Sequence, residues 1–174
     1  MANQKPNVLP EIRLVGPQEV DLIQELAASA WWVTYGGFIA QEQLDYMFGQ
    51  IYQPQALLRQ MQEEGQTFLL LQVEGAPAGF ASYSLKDPAE RVYKLNKIYL
   101  QPEQQQKVLG KVLLQAVEAQ VCGRQGRLLD LNVNRYNPAR SFYERCGYTI
   151  LHEEDLPIGP YWMNDYVMRK KLNC

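Results

Sequence analysis

Long apolar runs are missing from this chain: none approaches the ~20 residues that a membrane-spanning helix needs. Cysteine is scarce, and Cys122, Cys146 and Cys174 have neither the even count nor the short paired spacing of a disulfide framework or a zinc site. Free thiols and no metal are therefore expected. Histidine is scarcer still; His152 stands alone on a late predicted strand, where a surface or packing role is expected. Positive charge is not in excess either: 17 Lys and Arg against 19 Asp and Glu leave −2. That balance argues against a protein that neutralises phosphates along a nucleic acid and mildly favours cationic small molecules. Repeats, low-complexity tracts and composition breaks are absent, so nothing licenses a second domain. The opening MANQKPNVLP lacks the basic-then-apolar order of a secretory signal. Residues 1–9 are read as a flexible polar lead and 10–174 as a single domain. A cytoplasmic location with no membrane partner is expected.

What is present is the composition of a globular domain, 47% apolar and 21% charged over 174 residues. At that length folding buries roughly 70% of the unfolded surface, enough for one sizeable core. Ile12 and Leu14 alternate with charged neighbours and suggest a short strand ended by Gly16-Pro17. From Glu19 to Trp32, Val20, Leu22, Ile23, Leu26, Ala27 and Ala30 recur at helical spacing. Further helices are predicted over Ala40–Phe48 and Pro54–Glu64, with Pro54 as a first helical residue and Gly65 just past the end. The period then changes. Gln66–Val73 and Ala78–Leu85 form a hairpin, and Arg91–Leu100 is the next strand. An amphipathic helix from after Pro102 to about Cys122 leads to a strand at Leu128–Val133, a short helix at Pro138–Arg145, and strands at Tyr148–Glu153 and Asp165–Lys170. The fold class is α/β (α+β): a mixed, mostly antiparallel sheet of about seven strands flanked by helices.

The segment LNKIYLQPEQQQKVLGKVLLQAVEAQ joins a strand to a helix through a glutamine-rich loop. Unpaired amides at a helix N-terminus favour a phosphate, and Lys107 and Lys111 add charge at the rim. The same wiring is also how any mixed sheet is connected. Within it, P-E-x-Q-x-K-x-L-G-K-x-L-L resembles the acyl-coenzyme A loop of the GNAT superfamily of N-acetyltransferases, whose pattern is Gln/Arg-x-x-Gly-x-Gly/Ala. Gln105 takes the first position and Gly110 the last, whereas Val108 stands where the family has a glycine. A β-branched residue resists positive φ and close backbone approach, so the loop is expected to keep its course with Val108 at an allowed φ. The resemblance implies that acetyl-coenzyme A is the cofactor. Its pyrophosphate would meet the amides of Gln105, Gln106, Lys107, Val108, Leu109, Gly110 and Lys111. Its pantetheine arm would pair with Ile98, Tyr99 and Leu100 as an added strand pairs with an edge.

Further on, Asn137 is a good N-cap, Pro138 a good first helical residue and Gly147 a good residue past the end. N-x-A-x-x-F-Y-x-x-x-G-Y over Asn137–Tyr148 is similar to the second hallmark of the same superfamily. The resemblance implies that Tyr143 is the phenol that protonates the departing thiolate. It also implies cofactor contacts at Asn137 and Arg140, and an oxyanion contact at the N–H of Ile98 or a neighbour. Phe142 would pack in the core.

The general base is not singled out; Glu90, Asp130, Asp165 and Glu153 are candidates. The resemblance draws the acceptor pocket from the early helices and the last hairpin, which here are aromatic. Trp32, Tyr35 and Tyr161 are the predicted acceptor contacts, beside Trp31, Phe38 and Trp162, all of them equally readable as core residues. Trp32 to Tyr52 resembles small-amine or polyamine acetyltransferases of the sporulation-regulator type, and the wider resemblance runs from about Phe68 to Lys171. The expected activity is acetyl transfer to a primary amine of a small molecule by direct attack in a ternary complex. A silent acyl-coenzyme A sensor and an enzyme acting on protein amines are the alternatives, and a homodimer is left open.

Overall fold

A computed structural model describes residues 9–105 and 108–174. The predicted lead at residues 1–9 lies, apart from Leu9, outside the described residues. In chain order the elements are β1 (Glu11–Val15), α1 (Val20–Tyr35), α2 (Gln41–Ile51), α3 (Pro54–Gln62), β2 (Thr67–Val73) and β3 (Ala76–Asp87). They continue with β4 (Val92–Leu100), α4 (Leu109–Gly123), β5 (Leu128–Asn134), α5 (Ala139–Arg145), β6 (Thr149–Ile158) and β7 (Tyr161–Lys171). The seven strands form one sheet in the order β1-β2-β3-β4-β5-β7-β6, in which only β4 and β5 are parallel. The mixed, mostly antiparallel α/β fold expected from patterning is the one observed.

Helices cover both faces. On one, α4 packs Leu113 and Val117 against Leu95 and Leu131 of the central strands. On the other, α1, α2 and α3 pack Ile23, Trp31, Leu44 and Leu57 against Phe68 and Phe80. Local signals set the ends. Pro54 opens α3, Gly65 adopts φ +68° after it, and Gly147 adopts φ +95° after α5. The left-handed region is where a missing Cβ removes a steric cost.

Three predicted boundaries shift by four residues or more, one of them the start of β7, at Tyr161 and not Asp165. The helix expected after Pro102 is interrupted: Pro102–Gln104 forms a single 3-10 turn and α4 begins only at Leu109. β6 runs on to Ile158, because it pairs with β7 from Thr149↔Arg169 to Ile158↔Tyr161. As an edge strand wet on its outer side, it carries no alternation to announce it.

The expectation of three free thiols is corrected. Cys122, near the end of α4, and Cys174 are joined by a disulfide with Cα atoms 5.4 Å apart, leaving Cys146 free. They lie 52 residues apart in sequence and meet because β7, paired along β5, delivers the following residues beside the last turn of α4. We expect thiol titration of the denatured, unreduced chain to find one reactive thiol, and three after reduction. Three before reduction would show the bridge is not formed. No helix among the described residues is long and apolar enough to cross a membrane.

Candidate active site

The two central strands part company. β4 and β5 pair from Val92↔Leu128 to Leu95↔Leu131 and no further, while β5 continues against β7 to Asn134↔Asp165. Beyond Leu95 the edge of β4 facing β5 is therefore open. On its other side β4 carries a bulge: Leu95 pairs with Tyr83 and Lys97 with Ser82, leaving Asn96 as the surplus residue. A surplus residue reverses the alternation of side chains. Lys94 and Lys97, which three-residue spacing would put on opposite faces, thus share a cavity, while Ile98 and Leu100 join Leu95 against the α4 side.

Two cavities flank this opening. The first, about 300 Å³, is lined by Ile98, Tyr99, Leu100, Gln105, Gly110, Phe142, Tyr143 and Arg145, with Thr34 and Ala139. Of the residues predicted to hold a cofactor, Ile98, Tyr99, Leu100, Gln105 and Gly110 are thus brought together, and Gln105 Nε2 donates back to the Leu100 carbonyl (3.2 Å). The first turn of α4 has no side-chain cap and no acidic residue, so no described side chain shields its amides from an anion. Val108 takes φ −65° and ψ 2° and is 76% exposed, a conformation open to any residue. Leu109 is buried against the core, and Lys111 sits near Glu118 and Lys170. Gln106 and Lys107 lie outside the described residues. Two predicted contacts fall elsewhere. Arg140 lies over the Tyr166 ring and pairs with Glu144 one turn on (3.2 Å), because its position on α5 faces β7. Asn137 lines the second cavity, and its Oδ1 accepts from the Ala139 N–H (2.9 Å), the capping bond expected of it. Phe142 packs against the core and also walls the first cavity.

The second cavity, about 330 Å³, lies on the α1–α3 side of the sheet. Trp31, Tyr35, Tyr52 and Tyr99 form its aromatic wall, Leu156, Ile158 and Met163 close it from the last hairpin, and Lys94, Lys97, Asn132 and Asp165 supply polar groups. Of the three residues expected to contact the acceptor, Tyr35 lines this cavity. Trp32 and Tyr161 lie outside its lining: Trp32 stacks on Phe48 and donates to Asp45 (2.8 Å), and Tyr161 packs on Tyr46. Trp31, four residues after Ala27 on the buried stripe of α1, faces inward, whereas Trp32 is turned about 100° away. Tyr161 shares the face of Asp165 but lies four residues back along β7.

Tyr99 and Tyr143 line both cavities. Tyr143 is 9% exposed, and its hydroxyl makes no hydrogen bond to a described residue. Burial, with a smaller contribution from Cys146, pushes that phenol well above its ordinary value, so it carries its proton at neutral pH. Tyr35 is raised too, chiefly by burial, then by the charge that Tyr99, Tyr143 and Asp165 would carry, which puts it within electrostatic reach of all three. Its hydroxyl lies 3.0 Å from that of Tyr99.

Only one of the four acids considered as a base lines the second cavity. Asp165 is 5% exposed; Oδ2 accepts a long bond from Asn132 (3.4 Å) and Oδ1 has no partner among the described residues. Burial holds its carboxyl above the ordinary aspartate range despite the opposing Asn132 bond. Asp130 is fully buried but saturated by Arg169 (2.7 and 3.0 Å) and Lys86 (2.7 Å); burial raises its carboxyl and those cations more than reverse the effect. Glu90 lines a separate depression near Arg91, and Glu153 is exposed beside Arg135 (3.7 Å). His152 is exposed on β6.

Sequence reasoning did not single out Lys94, Lys97, Asn132 and Asn134. A signal was present: both central strands carry polar residues every second position where covered strands of a mixed sheet are apolar. Lys97 is 8% exposed and donates to Gln66 (2.9 Å), and burial pushes its ammonium from the ordinary 10.5 down to about 7. Between those values the folded chain has released a proton that the unfolded chain keeps. Stability should therefore rise with pH across that window, by up to ~1.4 kcal/mol per unit. Lys97→Met should flatten the rise and raise the melting temperature at pH 7; an unaltered slope in melts from pH 7 to 10 would refute this.

Known proteins resemble this chain over most of its length. The model of the acetyltransferase (GNAT) domain matches residues 38–158. A spermidine N(1)-acetyltransferase from Thermoplasma acidophilum is 27% identical over 168 residues, covering 92% of this chain and 96% of that protein. The crystal structure of PaiA N-acetyltransferase from the same organism, in complex with coenzyme A, superposes with a TM-score of 0.78 at 26% identity, over 94% of this chain and 99% of that one. A GCN5-related N-acetyltransferase from Rhodopseudomonas palustris shares the fold at 20% identity, with a TM-score of 0.80 and coverages of 94% and 96%.

Proposed function

Because this chain belongs to the acetyltransferase (GNAT) domain family and is an acetyl-coenzyme A-dependent N-acetyltransferase, we propose that it acetylates a primary amine of a small molecule. The observation that carries the reading is the pair of cavities sharing Tyr99 and Tyr143, one with an open strand edge and uncapped helix amides, the other with an aromatic wall and a buried carboxylate. Residues 10–174 act as one catalytic domain. The name of the Thermoplasma relative, a spermidine N(1)-acetyltransferase, supports an amine acceptor.

When bound, acetyl-coenzyme A supplies the thioester whose acetyl group is transferred. The open edge of β4 at Ile98–Leu100 would hold its extended arm, and the amides that open α4 would hold its phosphates. The N–H of Ile98 would face the carbonyl oxygen as charge develops there. Asp165 takes the surplus proton from the acceptor ammonium, directly or through water, and its raised affinity for protons suits that task. The carbon–nitrogen bond would form as the carbon–sulfur bond breaks, Tyr143 would give its proton to the departing sulfur, and the second proton shed by the acylated nitrogen would restore the Tyr143 phenol, directly or through water.

The aromatic enclosure by Trp31, Tyr35, Tyr52 and Tyr99 favours a small acceptor over a peptide. A thiol-release assay with acetyl-coenzyme A over a panel of small amines tests the proposal. Turnover on at least one is expected; tight cofactor binding with no turnover on any would favour the sensor instead.

A further inference from the structure

The charges lining the acceptor cavity do not suit a polycation. Among the described residues they are two lysines, Lys94 and Lys97, against one carboxylate, Asp165. Lys94 is half-buried and its ammonium makes neither a hydrogen bond nor an ion pair with any described residue; burial lowers it, with Glu154 and then Asp165 pulling the other way. Among the described residues Asp165 Oδ1 has no partner, and neither has the buried Gln60 Oε1 at the same cavity. A desolvated cation and a desolvated anion in one small enclosure are unfavourable unless paired; here each feels the other's charge but they form no direct ion pair. The Asn96 bulge is what turns Lys97 to the side of Lys94.

Building on the acceptor reading above, we propose that the substrate is a zwitterion, a free amino acid whose ammonium lies toward Asp165 and whose carboxylate lies toward Lys94, with Lys97 beside it. The unpartnered oxygens of Asp165 and Gln60 want N–H donors, and the unpartnered Lys94 wants an anion. One amino acid satisfies both demands at once. A diamine or polyamine satisfies the acids but brings a second ammonium against Lys94, a like-charge contact that selects against it. The cavity of about 330 Å³ is at the small end of ligand sites, in keeping with a single amino acid.

The test uses acceptors in pairs that differ by one carboxylate: ornithine and putrescine, lysine and cadaverine, arginine and agmatine, tyrosine and tyramine, with spermidine beside them. Each is assayed by thiol release with the full chain and acetyl-coenzyme A. The carboxylated member of the productive pair should have kcat/KM greater by roughly tenfold or more. Lys94→Gln should collapse that ratio, Lys94→Glu should invert it, and Lys94→Arg should keep it, which separates loss of charge from loss of fold. Preference for the decarboxylated member or for spermidine, or a ratio that Lys94→Gln leaves in place, overturns the zwitterion while leaving the N-acetyltransferase standing. Turnover of no acceptor, spermidine included, overturns both.

Discussion

Tyr143→Phe is expected to cut kcat by about 10²–10³-fold while leaving the affinity for coenzyme A within about twofold, because general acid assistance is worth that much and the ring stays in place. The hydroxyl is the only group removed, and it makes no hydrogen bond to a described residue. No described residue is therefore left unpaired by the change, and the melting temperature should hold. The loss should appear in kcat and kcat/KM alike, as it does when an interaction made only in the transition state is removed. Burial keeps the phenol protonated well past neutrality, so the basic limb of the wild-type pH profile should not come from Tyr143. Isothermal titration with coenzyme A and steady-state assays separate the two effects. Unchanged kcat would remove Tyr143 from the mechanism.

Asp165→Asn should do two opposite things. Turnover should fall by about 10²-fold or more, since the group that takes the ammonium proton is gone. Stability at neutral pH should rise. The folded carboxyl binds its proton more tightly than the unfolded one, so whatever the residue contributes to stability is fully present below the ordinary aspartate value and is lost as pH rises from there through the raised folded value. Asparagine carries no such cost at pH 7, and its amide keeps the shape. The acid limb of kcat/KM should disappear with the substitution. A variant that loses activity and stability together would mark Asp165 as a structural residue instead.

Local chemistry made much of this molecule legible. Pro54 and Gly65 bracket α3, and Asn137, Pro138 and Gly147 bracket α5, because each acts within a few residues of itself. The open edge at Ile98–Leu100 and the loop to Gly110 could be named in advance for a similar reason, as a strand feeding a helix. What escaped depends on distant partners. No property of Asp165 distinguishes it from Asp130 until Arg169 and Lys86 are seen neutralising the latter. Cys122 and Cys174 find each other only after β5 and β7 have paired. Trp31 over Trp32 is different, since the helical spacing from Ile23 and Ala27 already favoured the former.

The bulge at Asn96 puts the character of the pocket under the control of strand phase. Were the strand to run regularly through Asn96 with every residue kept, Lys97 to Leu100 would turn over, sending an ammonium toward the α4 core and Ile98 into the acceptor cavity. Deleting Asn96 would instead leave Lys94 and Lys97 two residues apart on a regular strand, still on one face. The second ammonium of the pocket thus depends on where the fourth strand absorbs its extra residue, with no change to the helices that enclose the site.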